Sequence, residues 1–276
     1  WLGGAASTEA TWFGAERPSP AKALMALGLV LVRGDALLAI RFFPAMLYAA
    51  AVAAVYAGLR RPRGPVPALA AAAALLLAPP FFALSIQASN ESVLTSLTLL
   101  ALIRAASARA PKEWGIVGLL AGLALGTKIT GLLVGVATLA WLLRSGEERG
   151  RRAGAFLLAL VAGFWLTWPV LPLRPLAPFA HVERFAGPRP PLLFFGICDA
   201  PPWHYAPTWL LFGLPFVLPA LALFAMVRDN FFRRPASPLA RLLLLYLFLA
   251  LLAACGAHAY LREGLRHLLP LAAVLA

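Results

Sequence analysis

Apolar runs of near-membrane length recur along this chain with almost nothing soluble between them, and each is closed by a basic, polar or proline-rich break. Read between those breaks, the runs fall at 36–59, 66–84, 92–106, 114–125, 129–143, 154–171, 206–227 and 241–257, and a ninth opens at Leu268. A soluble core has no use for so much apolar surface: 62% of the 276 residues are hydrophobic, 13% are charged and the mean hydropathy is +0.82. The pattern predicts an all-α, polytopic transmembrane helix bundle of about eight spans plus a truncated ninth, since each backbone segment in lipid must satisfy its own hydrogen bonds. Several runs are only about 15 to 18 residues long, at or below the usual span, so tilt or interfacial residues are expected to make up the difference.

The charges decide how those runs are threaded. Arginine and lysine concentrate in every second break: Arg60, Arg61 and Arg63; Arg104, Arg109 and Lys112; Arg144, Arg149, Arg151 and Arg152; Arg228, Arg233, Arg234 and Arg241. By the positive-inside rule these four breaks are expected in the cytoplasm. Residues 1–35, 85–91, 127–128, 172–205 and 258–267 then face outward, and the alternation runs through without a skipped segment. The formal charge of +13 is dispersed over short loops rather than gathered on one face, which argues against a nucleic-acid partner. The domain reading is a first extracytoplasmic loop at 1–35 and a helix bundle at 36–276. Within the bundle, the outer loop 172–205 carries prolines at 172, 175, 178, 188, 190, 191, 201 and 202, which suit a stiff lid or cleft wall rather than a continuous helix.

Little in the sequence supports soluble-cofactor chemistry. There is no Walker-type loop, dinucleotide glycine fingerprint, HExxH or nucleophile elbow. Cys198 and Cys255 have neither zinc nor redox spacing, and no cofactor is assigned. The chain opens at Trp1, and its last run, 268–276, stops about halfway across a bilayer. A fragment lacking its first span and a C-terminal part is therefore expected.

With so few polar groups facing outward, each is a candidate for handling an anion or a hydroxyl. Glu91 is the only acid between Asp35 and Glu113. It could activate a hydroxyl or ligate a divalent metal, or it could be the first-turn acid of a helix capped by Ser89 or Asn90. One carboxylate is too few ligands to assign a metal. Lys128, in Gly126-Thr127-Lys128-Ile129-Thr130-Gly131, either snorkels to headgroups or meets an anion, with the flanking glycines leaving room for a phosphate to approach the backbone. His204 and Tyr205 open a run beside Trp203 and Trp209, as part of an aromatic belt or as donors to phosphate and sugar oxygens. Arg262, Arg266 and His267 form the densest outward cationic cluster. Arg262 and Arg266 are four apart, on one face if helical, and a guanidinium grips phosphate bidentately; headgroup contact or an ion pair with Glu263 is the alternative.

Several short motifs, in order and in topology, resemble one family. Arg17-Pro18-Ser19-Pro20-Ala21-Lys22 resembles the His-Pro-Pro-Leu-x-Lys stretch of polyprenyl-phosphate-sugar-dependent membrane glycosyltransferases, the C-type fold of protein O-mannosyltransferases and the aminoarabinose transferase of lipid A, related to family 39. Arg17 stands where the family has histidine, and Ser19 where it has the second proline. Glu91 falls where these enzymes carry an acid, and Gly126-Thr127-Lys128 is similar to their glycine-rich turn with lysine. Pro202-Trp203-His204-Tyr205, ahead of Leu214-Pro215, is similar to Pro-Trp-Tyr-Tyr and a Thr-Pro pair, and Gly264-Leu265-Arg266-His267 to a Gly-x-Arg-His motif.

The resemblance implies a multi-pass protein of a bacterial inner membrane whose extracytoplasmic loops form the site. It implies inverting transfer of a sugar from a polyprenyl-phosphate donor to a protein, lipid A or another glycan. Lys128, Arg262, Arg266 and His267 would grip the donor phosphate; His204, Tyr205 and Lys22 would contact substrate; Glu91 is the catalytic acid in view, with the family's main aspartate base lying upstream of the Pro18 stretch. A transporter or flippase for an anionic lipid or sugar is the alternative, but such folds break helices near the midplane, whereas the polar breaks here lie at the outer surface. A catalytically inactive relative acting as a membrane partner is a third reading.

Overall fold

The computed structural model describes residues 20–32, 34–77, 83, 89–144, 148–167, 192–194, 197–199 and 238–256. These form α1 (Pro20–Leu31), α2 (Ala36–Arg63), α3 (Pro65–Leu77), α4 (Asn90–Ser107), α5 (Pro111–Thr127), a 3₁₀ turn (Ile129–Gly131), α6 (Leu132–Leu143), α7 (Arg149–Thr167) and α8 (Pro238–Gly256). The expected helical class holds, apart from a small antiparallel hairpin, β1 (Leu192–Phe194) and β2 (Ile197–Asp199), with Leu193 opposite Cys198. That hairpin lies inside the loop 172–205; the rest of the loop, and the run 206–227, fall outside the described residues.

Helix boundaries follow local chemistry. Asp35 caps α2, its carboxylate accepting the Leu37 N–H at 2.7 Å. Gly64 ends α2 at a φ of +90°, with its N–H on the Arg60 carbonyl, and Pro65 starts α3 at once. Residues 20–31, placed by the sequence reading in a loop, form a helix instead. The segment is rich in Ala, Leu and Met, starts on a proline, and packs along α2, where Gly28 lies against the Ala39 carbonyl.

Among the described residues one helix, α2, is long and apolar enough on its own to cross a membrane. The others are shorter, as α3 and α6 are, or carry polar ends, such as the three arginines that open α7. Large apolar side chains nonetheless cover the bundle's exterior: Val66, Leu77, Leu158 and Leu166 are each more than 70% exposed. Such a surface suits lipid rather than water.

The core lies where α4 and α5 meet their neighbours, and α4 is buried on nearly every face over its first three turns. The Tyr48 hydroxyl donates to the Leu75 carbonyl at 2.7 Å, tying α2 to α3. The most extensive helix pair is α5 with α7. Gly118 lies against the backbone of Phe156, Gly122 against Leu160, and Gly126 against the Thr167 side chain, so the two helices run parallel, with α6 as the return. Glycines four apart allow this close approach. At the start of the seam, Trp114 meets Phe156 edge-on at 6.4 Å.

Candidate functional site

The site grows from two helix ends. α4 begins where Ser89, in an extended conformation, accepts the Ser92 N–H at 3.2 Å, which is the capped start read from the sequence. Glu91 then sits in the first turn, where the helix dipole favours an anion. α5 ends at Thr127, whose hydroxyl donates to the Leu123 carbonyl at 2.8 Å. Lys128 leaves the helix at φ −159° and ψ 145°, its N–H on the Ala124 carbonyl at 3.1 Å and its own carbonyl accepting the Gly131 N–H at 2.8 Å.

This pinned turn brings Lys128 to α4. Lys128 Nζ donates to Glu91 Oε1 at 3.2 Å, across 37 residues of sequence, with the side chains 23% and 6% exposed. The pair differs in kind from Arg152–Glu148, at 3.6 Å with Glu148 half exposed. A solvated pair of that sort contributes at most about 1 kcal/mol, whereas removing one partner of a desolvated pair strands a charge at a cost of about 3–5 kcal/mol. Among the described residues, no three His, Cys, Asp or Glu side chains gather as a metal-ligand group.

The glycines around Lys128 serve the chain rather than a ligand, correcting the expectation that they leave room for a phosphate. A Cβ at Gly126 would run into the Thr167 side chain, and one at Gly131 into the backbone of Ala124 and Leu125. Sequence reasoning also missed two buried hydroxyls just inside Glu91. Among the described residues Ser92 Oγ and Thr95 Oγ1 have no hydrogen-bond partner, while Ser96, Thr127, Thr138 and Thr167 each donate to a carbonyl of their own helix. The density of Ser and Thr over 89–98 was the available signal.

The ion pair fixes which helix ends share a side. Arg104 lies 13 residues along α4 from Glu91, about 20 Å away at helical rise, at the opposite end of the bundle. Lys112 and Glu113 at the start of α5 share that far end. There the Glu113 carboxylate accepts the N–H groups of Arg109 at 2.7 Å and Ala110 at 3.0 Å, and these bonds hold it below its ordinary value of 4.5. Lys22 is exposed on α1, which touches both α4 and α5. His204, Tyr205, Arg262, Arg266 and His267 lie outside the described residues.

The sequence profile described as dolichyl-phosphate-mannose-protein mannosyltransferase matches residues 16–172, more than half of the chain. The chain belongs to this family. No curated protein and no solved structure matches it. The mannosyltransferase match takes in α1 through α7, and with them Lys22, Glu91 and Lys128, and stops before the hairpin. Family members are integral membrane glycosyltransferases that draw on a polyprenyl-phosphate-linked sugar, which accords with the lipid-suited exterior.

Proposed function

We propose that this protein transfers a sugar, with inversion, from a polyprenyl-phosphate donor to a hydroxyl on an extracytoplasmic protein, lipid A or another glycan, in a bacterial inner membrane. The observation that carries this reading is the desolvated Lys128–Glu91 pair at one end of the bundle, inside the family match. It lies at the ends of helices, not in a mid-span break, which favours an enzyme working at the membrane surface over a transporter.

In the reaction, the acceptor oxygen bonds to the anomeric carbon as the bond to the phosphate oxygen breaks, and the acceptor's proton passes to a carboxylate base. Negative charge grows on the departing lipid phosphate. Cations fixed in advance stabilise that charge more in the transition state than in the ground state. Lys128 takes this role, with Arg262, Arg266 and His267 as further donors to the phosphate, and Lys22, His204 and Tyr205 beside the substrate. Glu91 holds Lys128 in place rather than acting as base, because Oε1 is engaged and the carboxylate is nearly closed to solvent. The base is assigned to an acid upstream of the Pro18 stretch.

Lys128→Ala in the full-length protein is expected to abolish transfer from a polyprenyl-phosphate sugar in membrane vesicles, and Glu91→Gln/Lys128→Ala, which leaves no stranded carboxylate, to accumulate and remain inactive. Unchanged transfer would overturn the assignment.

A further inference from the structure

Lys128 meets Glu91 only if the end of α5 sits at the right height and rotation, and its own helix does not fix that. The last turn of α5 is set by what lies beside Gly126, two residues before Lys128. That neighbour is the Thr167 side chain, at the end of α7 and 93% buried. Thr167 is itself held, because its hydroxyl donates to the Phe164 carbonyl at 2.6 Å, which fixes its rotamer. The space a Cβ would need at Gly126 is filled by Oγ1, Cβ and Cγ2 of this one residue.

Elsewhere along the same seam the obstruction is of another kind. At Gly118 and Gly122 it is the backbone of α7, so those contacts set only how close the helices lie. At Gly126 the nearest atoms are those of a side chain, against the turn that carries Lys128. Within the turn itself, Gly131 folds back onto the backbone of Ala124 and Leu125 in the same helix end. The outside contact on this turn is therefore Thr167, the one side chain among the described atoms nearest those two glycines.

We infer that Thr167 is a positioning residue: packed into the notch at Gly126, it sets the end of α5 so that Lys128 reaches Glu91. The catalytic consequence rests on the donor-phosphate role proposed for Lys128; the geometric part does not.

The test exchanges bulk across the contact in the full-length protein in membrane vesicles. Gly126→Ala pushes the helix ends apart, and the double variant Gly126→Ala/Thr167→Gly returns the displaced volume. Two readouts are taken: turnover with a polyprenyl-phosphate sugar, and the rate at which Lys128 is acylated by a small amine-reactive activated ester, with exposed Lys112 as internal reference. Gly126→Ala is expected to raise Lys128 labelling several-fold and to lower turnover about a hundredfold, the scale of an ångström-sized misplacement; the exchange is expected to restore both. Unchanged labelling in Gly126→Ala, or no recovery in the double variant, overturns the inference. Labelling that responds as expected while Lys128→Ala keeps full transfer upholds the positioning and overturns the phosphate role alone. Should Gly126→Ala fail to accumulate, Thr167→Gly and Thr167→Val decide the matter. The first empties the contact and the second keeps its volume, so equal labelling in the two overturns the inference.

Discussion

At the scale of the residue, two groups that the sequence offered as separate candidates turn out to be one unit. Glu91 was legible as the first-turn acid of a capped helix because Ser89, Asn90 and Glu91 are neighbours and capping is local. Its partner was not, because a contact across 37 residues depends on how α4 and α5 lie together, and no local pattern encodes that. For the same reason the glycines beside Lys128 were read as open space: a missing side chain looks the same whether a ligand or a neighbouring helix fills it. The pair predicts a specific non-additivity. Lys128→Met should destabilise the detergent-solubilised protein by about 3 kcal/mol, since it strands a carboxylate, and Glu91→Gln/Lys128→Met should recover most of the loss. Unfolding midpoints that simply add would contradict a desolvated pair.

At the scale of the element, segmentation was largely readable and the faces were not. Proline at 65 and 111, glycine at 64 and the arginine clusters mark breaks that the structure respects, because each acts on the backbone or the helix dipole within a turn. α1 is hidden in the sequence because residues 1–35 are set outside by the charge alternation, which says nothing of helix within a loop. The α5–α7 seam escaped because its glycines were weighed near Lys128 and not as a set spaced by four. Gly122→Val should cost about 3 kcal/mol, at the upper end of overpacking, because its Cβ meets the Leu160 backbone and not a yielding side chain; a thermal midpoint close to wild type would argue against the seam. At the start of α5, Glu113 predicts a pH effect. Its folded value is the lower one, so its contribution is fully present above 4.5 and is lost as the pH falls through that lower folded value. Glu113→Gln should flatten this part of the stability profile, as read by thermal midpoints on either side of that pH.

At the scale of the whole molecule, the arginine alternation and the ion pair agree for α4 and α5: Glu91 and Lys128 share one end, and Arg104, Arg109 and Lys112 lie at the other. Single cysteines placed at Arg61 and at Ile129, with Cys198 and Cys255 replaced by serine, should therefore label oppositely with an impermeant maleimide. The second is expected to react from outside intact cells and the first only after the membrane is opened. The short return of α6 has a further consequence. From Ile129 to Leu143 the rise is only about 24 Å, against a hydrocarbon thickness of about 30 Å, so keeping the Lys128 turn at the surface calls for a locally thinned bilayer around this part of the protein. Hydrophobic mismatch then becomes part of the chemistry: thick host lipids would oppose the thinning that leaves this turn at the interface, and turnover should rise as the host lipids are shortened.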